Sequence, residues 1–278
     1  MNYGVIDVGS NSVRLLFNGK KQVINTQLSE KNVPGGALLE TAINRTADAV
    51  FTLADFVENE GGTVKIFATE AVRSASNGSD FIDVLKKNGL DVDVLSPETE
   101  ARIGFDGAYD GTGTKAVLDV GGASSELIVG SSDGISYSHS LPLGSVRTKD
   151  LGVLPPKLNA LVAQRVKEYG NVPPFDSIVS IGGTSSSLVA IRDKVEPYDG
   201  EKIHLKKLSL YEIERIVEFL YATPIEERAK IPGLHPKKIL VIPAGGVLIA
   251  EIMKYLGAEE ITVSENDNLE GYLARLEK

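Results

Sequence analysis

Short apolar runs alternate with amphipathic segments along the whole chain. A short run of β-branched and aliphatic residues predicts a buried strand, and apolar residues three and four apart predict a helix. On this basis the predicted strands are residues 3–7, 13–17, 21–27, 64–68, 92–95, 116–120, 126–129, 136–141, 177–181 and 239–242. The predicted helices are residues 39–57, 81–85, a segment that begins at Ser96, 162–169 and 210–221. Such alternation is typical of an α/β protein with mixed sheets flanked by helices.

The same local plan begins each half of the sequence. A strand, a turn of small residues and a second strand occur around Gly9 and again around Gly121. This repeat indicates two related domains, which we place at residues 1–113 and 114–265, with a C-terminal helix of about residues 266–278 that packs back on the first domain.

Composition narrows the class of protein. The absence of Cys excludes disulfides and thiolate metal sites, and favours a reducing compartment, the cytoplasm. The net charge of -9 argues against broad binding of nucleic acid or membrane surfaces. We find no signal peptide, and the apolar runs are too short to cross a bilayer. An acidic chain that binds anions must therefore use local backbone N–H groups, a few basic side chains and a bridging cation.

Four turns of small residues follow apolar segments that read as strands. A backbone without bulky side chains can approach an anion closely, and successive N–H groups then form a concave anion site. Each turn alone is more often only a turn, but four of them favour phosphate binding. The four turns are residues 9–12, 121–125, 182–187 and 244–246.

Acidic residues accompany two of these turns. Asp7 closes the strand before the first turn, Asp119 closes the strand before the second, and Glu126 lies just beyond it. Carboxylates beside a phosphate site are suited to hold Mg²⁺, which neutralises the charge of a phosphoryl group in transfer. The alternative is that Asp7 and Asp119 only accept hydrogen bonds from turn N–H groups. We predict that Asp7, Asp119 and Glu126 are ligands of Mg²⁺ or another divalent cation.

Several motifs occur in the order found in exopolyphosphatase and guanosine pentaphosphate phosphatase (Ppx/GppA) proteins, and the resemblance covers nearly the whole chain. They are Asp7-Val-Gly-Ser-Asn-Ser-Val-Arg14, Ala68-Thr-Glu-Ala-Val-Arg73, Glu98-Thr-Glu100-Ala-Arg102, Asp119-Val-Gly-Gly-Ala-Ser-Ser-Glu126, Leu141-Pro-Leu-Gly-Ser-Val-Arg147 and Gly182-Gly-Thr184. The resemblance implies two ribonuclease-H-like domains of the actin superfamily around a cleft. It also implies hydrolysis of a terminal phosphoanhydride in polyphosphate, of short chains in particular, or in guanosine pentaphosphate.

The resemblance also implies roles for individual residues. Glu100 resembles the acid that orients or deprotonates the attacking water, and Arg73 resembles a phosphate-gripping side chain. Asp119 and Glu126 resemble the acids that act on the cation and the water. The implied phosphate-binding residues are Gly9, Ser10, Asn11, Ser12, Gly121, Gly122, Ala123, Ser124, Gly183 and Thr184.

The residues themselves add limits to these roles. Glu100 lies in the first turn of a helix, which favours its ionised form, whereas Asp119 and bound phosphate would raise its pKa. Ala123 and Leu269 depart from the family pattern, since a third Gly and an Arg are usual there.

Two other functions remain open on the sequence. A phosphotransferase is suggested by Pro243-Ala244-Gly245-Gly246, which is similar to an adenosine-contacting turn of the superfamily. A non-catalytic sensor of phosphate ligands is the third possibility. A homodimer is compatible with the sequence, which does not decide between polyphosphate and the guanosine nucleotide.

Overall fold

The computed structural model describes residues 2–30 and 35–277, and its contacts divide the chain into two compact units. The first unit is Met1–Gly107 with Asn268–Lys278, and the second is Ala108–Asp267. This division falls a few residues before the boundary expected between residues 113 and 114.

The first unit is one five-stranded sheet with helices. Its strands are β1 (Tyr3–Val8), β2 (Ser12–Phe17), β3 (Lys20–Asn25), β4 (Thr63–Ala68) and β5 (Val92–Val94). Its helices are α1 (Glu40–Asn59), α2 (Glu70–Arg73), α3 (Gly78–Lys87), α4 (Pro97–Ala108) and α12 (Asn268–Leu276). The strand order is β3-β2-β1-β4-β5, in which β1, β4 and β5 are parallel and β2 is antiparallel to both neighbours.

The second unit is a six-stranded sheet with helices. Its strands are β6 (Lys115–Val120), β7 (Ser125–Ser131), β8 (Gly134–Leu141), β9 (Ser177–Ile181), β10 (Lys206–Ser209) and β11 (Glu260–Val263). Its α-helices are α5 (Ser145–Asp150), α6 (Lys157–Arg165), α7 (Gly183–Asp193), α8 (Gly200–Ile203), α9 (Leu210–Ala222), α10 (Ile225–Arg228) and α11 (Val241–Leu256), with 3₁₀ turns at Val166–Tyr169 and Pro236–Lys238.

The two sheets share one topology. The second has the order β10-β11-β9-β6-β7-β8, in which β6, β9 and β11 are parallel while β7 and β8 form an antiparallel meander with β6. Numbered within its own unit, the first sheet runs third, second, first, fourth, fifth. The second runs third, second, first, fourth, sixth, and its fifth strand, β10, is added at the edge beside the sixth, β11. This is the ribonuclease-H-like arrangement, and it confirms the expected fold class. It also places the hairpin turns at residues 9–11 and 121–124 in equivalent positions.

Each sheet buries its own apolar core. In the first unit, α1 lays Ile43, Val50 and Val57 against the sheet, and all three are nearly or fully buried. In the second unit, β6 contributes Ala116 and Leu118 to the core, which are fully buried. Central strands buried on both faces read as continuous apolar runs, which is why the sequence predicts them correctly.

The helix α12 packs in the first unit, against β1 and α4. Leu269 and Tyr272 are buried beside Phe67, and the rings of Tyr272 and Phe67 stack with centroids 4.7 Å apart. A Cβ atom at Gly271 would lie 1.8 Å from the carbonyl oxygen of Ile103. The position where the family pattern has Arg is thus a core position here, because Leu269 is fully buried.

The predicted strand at residues 239–242 is wrong. Ile242 belongs to α11, a helix buried over most of its length, and a helix that is apolar on all sides has no helical periodicity to reveal it. The small residues at 244–246 consequently lie inside a helix. A Cβ atom at Gly245 or Gly246 would come within 2.5 Å of Thr184 or Val217, respectively, so these glycines permit close helix packing. The similarity of this segment to an adenosine-contacting turn therefore carries no further weight.

Candidate functional site

The first predicted phosphate loop, Gly9 to Ser12, joins β1 to β2. Its backbone is closed by a hydrogen bond from Gly9 N to Ser12 O at 3.0 Å. The carbonyl of Asn11 accepts from the amides of Thr26 and Gln27, each at 3.0 Å. These bonds fasten the loop to the segment after β3 and fix its shape.

Asp7 forms an ion pair with the side chain of Arg14. It lies opposite Arg14 in the register of β1 and β2, and it is buried. The Nε of Arg14 donates to Asp7 Oδ2 at 3.0 Å, and Nη2 contacts the same oxygen. Asp7 is therefore neutralised within its own hairpin, which the sequence reasoning did not foresee.

Glu100 and Arg73 are brought together in the first unit. Helix α4 begins at Pro97 after Ser96, whose hydroxyl accepts from the amide of Thr99, and so places Glu100 in its first turn. The Nη1 of Arg73 donates to Glu100 Oε2 at 2.8 Å and to the carbonyl of Leu95 at 2.6 Å. Glu70, which the sequence reasoning left without a role, accepts from Arg73 Nη2 at 3.3 Å.

Burial gives Glu100 an unusual proton affinity. It is only 6% exposed, and loss of hydration raises its pKa to about 7, although the adjacent charge and hydrogen bond of Arg73 oppose the rise. The negative charges of Asp7 and Glu70 also contribute to this rise. The expected rise is thus present, but its main cause is burial rather than the neighbouring Asp119 that the sequence argument invoked. A carboxylate with a pKa near neutrality is suited to accept a proton from water.

The second predicted phosphate loop, Gly121 to Ser124, joins β6 to β7 and is held by α5. The amides of Ser145 and Val146 donate to the carbonyls of Gly121 and Gly122 at 2.8 and 2.9 Å. A Cβ atom at Gly144 would lie 2.5 Å from the carbonyl carbon and oxygen of Gly122. Gly144 is therefore required for α5 to approach the loop this closely. Ala123, the departure from the family pattern, is buried.

Two carboxylates face each other in the second unit. Asp119 and Glu126 are directly opposite in the register of β6 and β7, so their side chains lie on the same face of the sheet. Glu126 is 5% exposed and accepts from the hydroxyl of Ser140 at 2.7 Å. The equivalent pair of the first unit is Asp7 and Arg14, seven residues apart in both hairpins. The second hairpin has an acid where the first has a base.

The third small-residue segment starts a helix instead of closing a turn between strands. Gly182, with φ of +88°, precedes α7, and a Cβ atom there would lie 2.7 Å from Asp119 Oδ1. Gly183 is the first residue of α7. The hydroxyl of Thr184 donates to the carbonyl of Val120 at 3.1 Å. Since a hydroxyl has one proton, Thr184 fastens α7 to the end of β6, and its anion contact would have to come from its backbone N–H.

The predicted residues therefore fall into two groups. Glu100, Arg73, Asp7 and the first loop lie in the first unit, whereas Asp119, Glu126, the second loop, Gly183 and Thr184 lie in the second. Within residues 2–30 and 35–277, no three acidic or histidine side chains are gathered closely enough to hold a metal ion alone. Among the same residues, no helix has the length and apolar character needed to cross a membrane.

Paired sheets of ribonuclease-H topology, each with a small-residue hairpin loop, define a class of phosphate-handling α/β proteins. The chain belongs to the Ppx/GppA phosphatase family, whose model matches residues 5–278, and it is a phosphoanhydride hydrolase by class. The resemblance found in the sequence is confirmed.

Curated relatives differ in length. Exopolyphosphatase 2 of Mycobacterium tuberculosis is 27% identical, and the match covers 96% of this chain and 95% of that protein. A bifunctional 3-dehydroquinate synthase/phosphatase of Fusobacterium nucleatum is 32% identical over 96% of this chain, which spans 45% of that protein. A solved Ppx/GppA family member from Aquifex aeolicus is 29% identical with a TM-score of 0.79, and the match covers 99% of this chain and 97% of that one.

Proposed function

We propose that the protein hydrolyses the terminal phosphoanhydride of inorganic polyphosphate or of guanosine pentaphosphate, with Glu100 as general base. The observation that carries the proposal is a buried carboxyl whose pKa is about 7 and whose geometry is held by Arg73. A family of phosphatases needs a water molecule directed at phosphorus, and phosphoryl transfer requires little else in the way of covalent assistance. Relatives named exopolyphosphatase and guanosine-5'-triphosphate,3'-diphosphate pyrophosphatase support both substrates.

In this proposal Arg73 both binds the terminal phosphate of the substrate and holds the general base, Glu100. An arginine has five N–H donors, and three hydrogen bonds from Nη1 and Nη2 are made within the described residues. Two donors, including Nε–H, remain for oxygens of the terminal phosphate. Glu100 orients water and accepts its proton at Oε1 or Oε2, while Arg73 stabilises negative charge on the phosphate. Backbone N–H groups of Ser10 to Ser12 in the first unit and of Gly121 to Ser124 in the second are the proposed phosphate donors of each loop.

A divalent cation fits the donors of the second hairpin. Proteins usually hold Mg²⁺ with one or two carboxylates, and water and phosphate oxygens occupy its other coordination positions. Asp119 and Glu126 would hold it, and when bound it would supply neutralising charge for the phosphate oxygens. Asp7 was the third predicted ligand, and we propose no such role for it because Arg14 already contacts its Oδ2.

Phosphate release from short polyphosphate and from guanosine pentaphosphate, each with Mg²⁺, tests the proposal. The wild-type protein should release phosphate from at least one of them. Glu100→Gln should lower kcat by roughly 10²–10⁴-fold, the usual contribution of a general base. Glu98→Gln is the matched control, since Glu98 lies in the same helical turn but is exposed. Equal activity of Glu100→Gln and wild type would reject the assigned mechanism.

A further inference from the structure

Glu70 and Glu100 share one guanidinium. Arg73 Nη2 lies 3.3 Å from Glu70 Oε2, while Nη1 lies 2.8 Å from Glu100 Oε2. The side chain of Glu70 is 17% exposed and that of Arg73 is 19% exposed, so neither is an ordinary solvated charge. Ion pairs shielded from water to this extent are stronger than surface pairs.

The position of Glu70 is fixed by its own backbone. It is the first residue of α2, and its carbonyl accepts from the amide of Ser74 at 2.9 Å and from the hydroxyl of Ser74 at 2.8 Å. These bonds fix the backbone from which the side chain of Glu70 reaches Arg73, three residues along the same short helix.

We propose that Glu70 is a positioning residue, which holds the guanidinium of Arg73 between two carboxylates so that it neither collapses onto Glu100 nor leaves the substrate phosphate. This inference deepens the proposed function and rests on it. If Glu100 were the single acidic partner of Arg73, the guanidinium would neutralise Glu100 fully and would turn its remaining N–H donors toward Glu100. With two acidic partners, the guanidinium shares its positive charge and its hydrogen-bond donors between them, so Glu100 keeps part of its affinity for a proton.

The charges around Glu100 support this division. The groups that act on it are Arg73, which lowers its pKa, and Asp7 and Glu70, which raise it. Asp7 belongs to β1 and is balanced by Arg14, whereas Glu70 belongs to α2 and pairs with Arg73 itself. Removing the charge of Glu70 should therefore lower the pKa of Glu100 by strengthening the hold of Arg73.

The test compares Glu70→Gln with Glu70→Asp, in the full chain with Mg²⁺ and short polyphosphate. For Glu70→Gln, the acid limb of the kcat/KM profile should move to lower pH by about half a unit or more, and kcat at pH 8 should fall by roughly three- to ten-fold. Glu70→Asp keeps the charge and should restore the position of the limb. Glu58→Gln makes the same charge change at an exposed site of the first unit and should leave the profile unchanged.

A second readout separates this inference from the proposed function. Carbon-13 NMR of glutamate-labelled protein follows the titration of the Glu100 carboxyl, identified by its loss in Glu100→Gln, whether or not any substrate is turned over. A lower titration midpoint in Glu70→Gln supports the positioning role even if phosphate release is absent, which would reject only the proposed reaction. An unchanged midpoint together with an unchanged acid limb overturns the role of Glu70.

Discussion

The carboxylate of Glu100 accepts a hydrogen bond from Arg73 at 2.8 Å although burial drives Glu100 toward its protonated form. The two effects act in opposite directions, and the outcome is a carboxyl that titrates near neutrality. An exposed acid in the first turn of a helix would instead stay ionised throughout the physiological range. This ion pair is therefore expected to make the proposed activity depend on pH.

The rate of hydrolysis should rise with pH through about 7. Glu100 accepts a proton only when it is ionised, so kcat/KM should climb as pH passes the pKa of about 7 and level off above it. A profile measured with short polyphosphate and Mg²⁺ between pH 5 and 9 gives the answer. An acid limb near pH 4.5 would mean that burial does not affect the working base.

Glu100 should also make stability depend on pH. Its pKa is about 7 in the folded protein and 4.5 for the unperturbed group, so the folded state binds the proton more tightly. The associated stability is fully present below pH 4.5 and is lost as pH rises through 7, by at most about 3 kcal/mol. Relative to wild type, Glu100→Gln should become more stable in urea at pH 8 than at pH 5. A difference in unfolding free energy that is the same at both pH values would contradict this.

The carboxylates of the second hairpin should control cation binding. Asp119→Asn or Glu126→Gln removes one of two facing charges, so the affinity for Mg²⁺ should fall by roughly ten-fold or more, since ligand charge sets cation affinity. Isothermal titration calorimetry measures this without substrate. Asp133→Asn, at the exposed turn between β7 and β8, is the control and should bind Mg²⁺ as wild type does. Wild-type affinity in both site variants would remove the proposed cation site.

Gly144→Ala should displace the second phosphate loop. The added methyl would meet the carbonyl of Gly122 at 2.5 Å, which neither backbone can accommodate without moving. We expect a loss of about 1–3 kcal/mol in unfolding free energy, as for other overpacked sites, together with a higher KM for polyphosphate. Thermal unfolding and steady-state kinetics test both. A variant with wild-type stability and KM would show that the loop yields easily.

Tyr272→Ala should destabilise the first unit. The ring is buried and stacked on Phe67 at 4.7 Å, and its loss leaves a cavity in the core shared by β1, α4 and α12. Removal of a buried aromatic side chain costs about 3–5 kcal/mol. Urea unfolding measures the loss, and Tyr272→Phe is the matched control because it keeps the ring. Equal stability of the Ala and Phe variants would exclude packing as the reason.

The strands β1 to β9, both hairpin loops and the start of α4 are predictable from sequence because each depends on neighbouring residues. The short strands β10 and β11 are missing from the strands predicted in the sequence analysis. The segment 239–242 is not predictable in this way, since an apolar run in a fully buried helix has the same composition as a buried strand. The partnership of Asp7 with Arg14 needs the strand register, and the direction of the Thr184 hydroxyl needs the contact between α7 and β6. The place of Glu70 could have been found from its spacing of three residues from Arg73.

In the sequence, the entire second unit separates α12 from the strands that it covers, and this separation affects the order in which the first unit can fold during synthesis. The ribosome completes the entire second unit before it makes the helix that seals Val5 and Phe67 in the first. Until then the nascent protein carries an unsealed apolar surface beside α4, the helix that bears Glu100. Helix α4 thus acquires its final packing, through Ile103, only after residues 268–276 have emerged, and chaperone contacts with the nascent chain are expected at that surface.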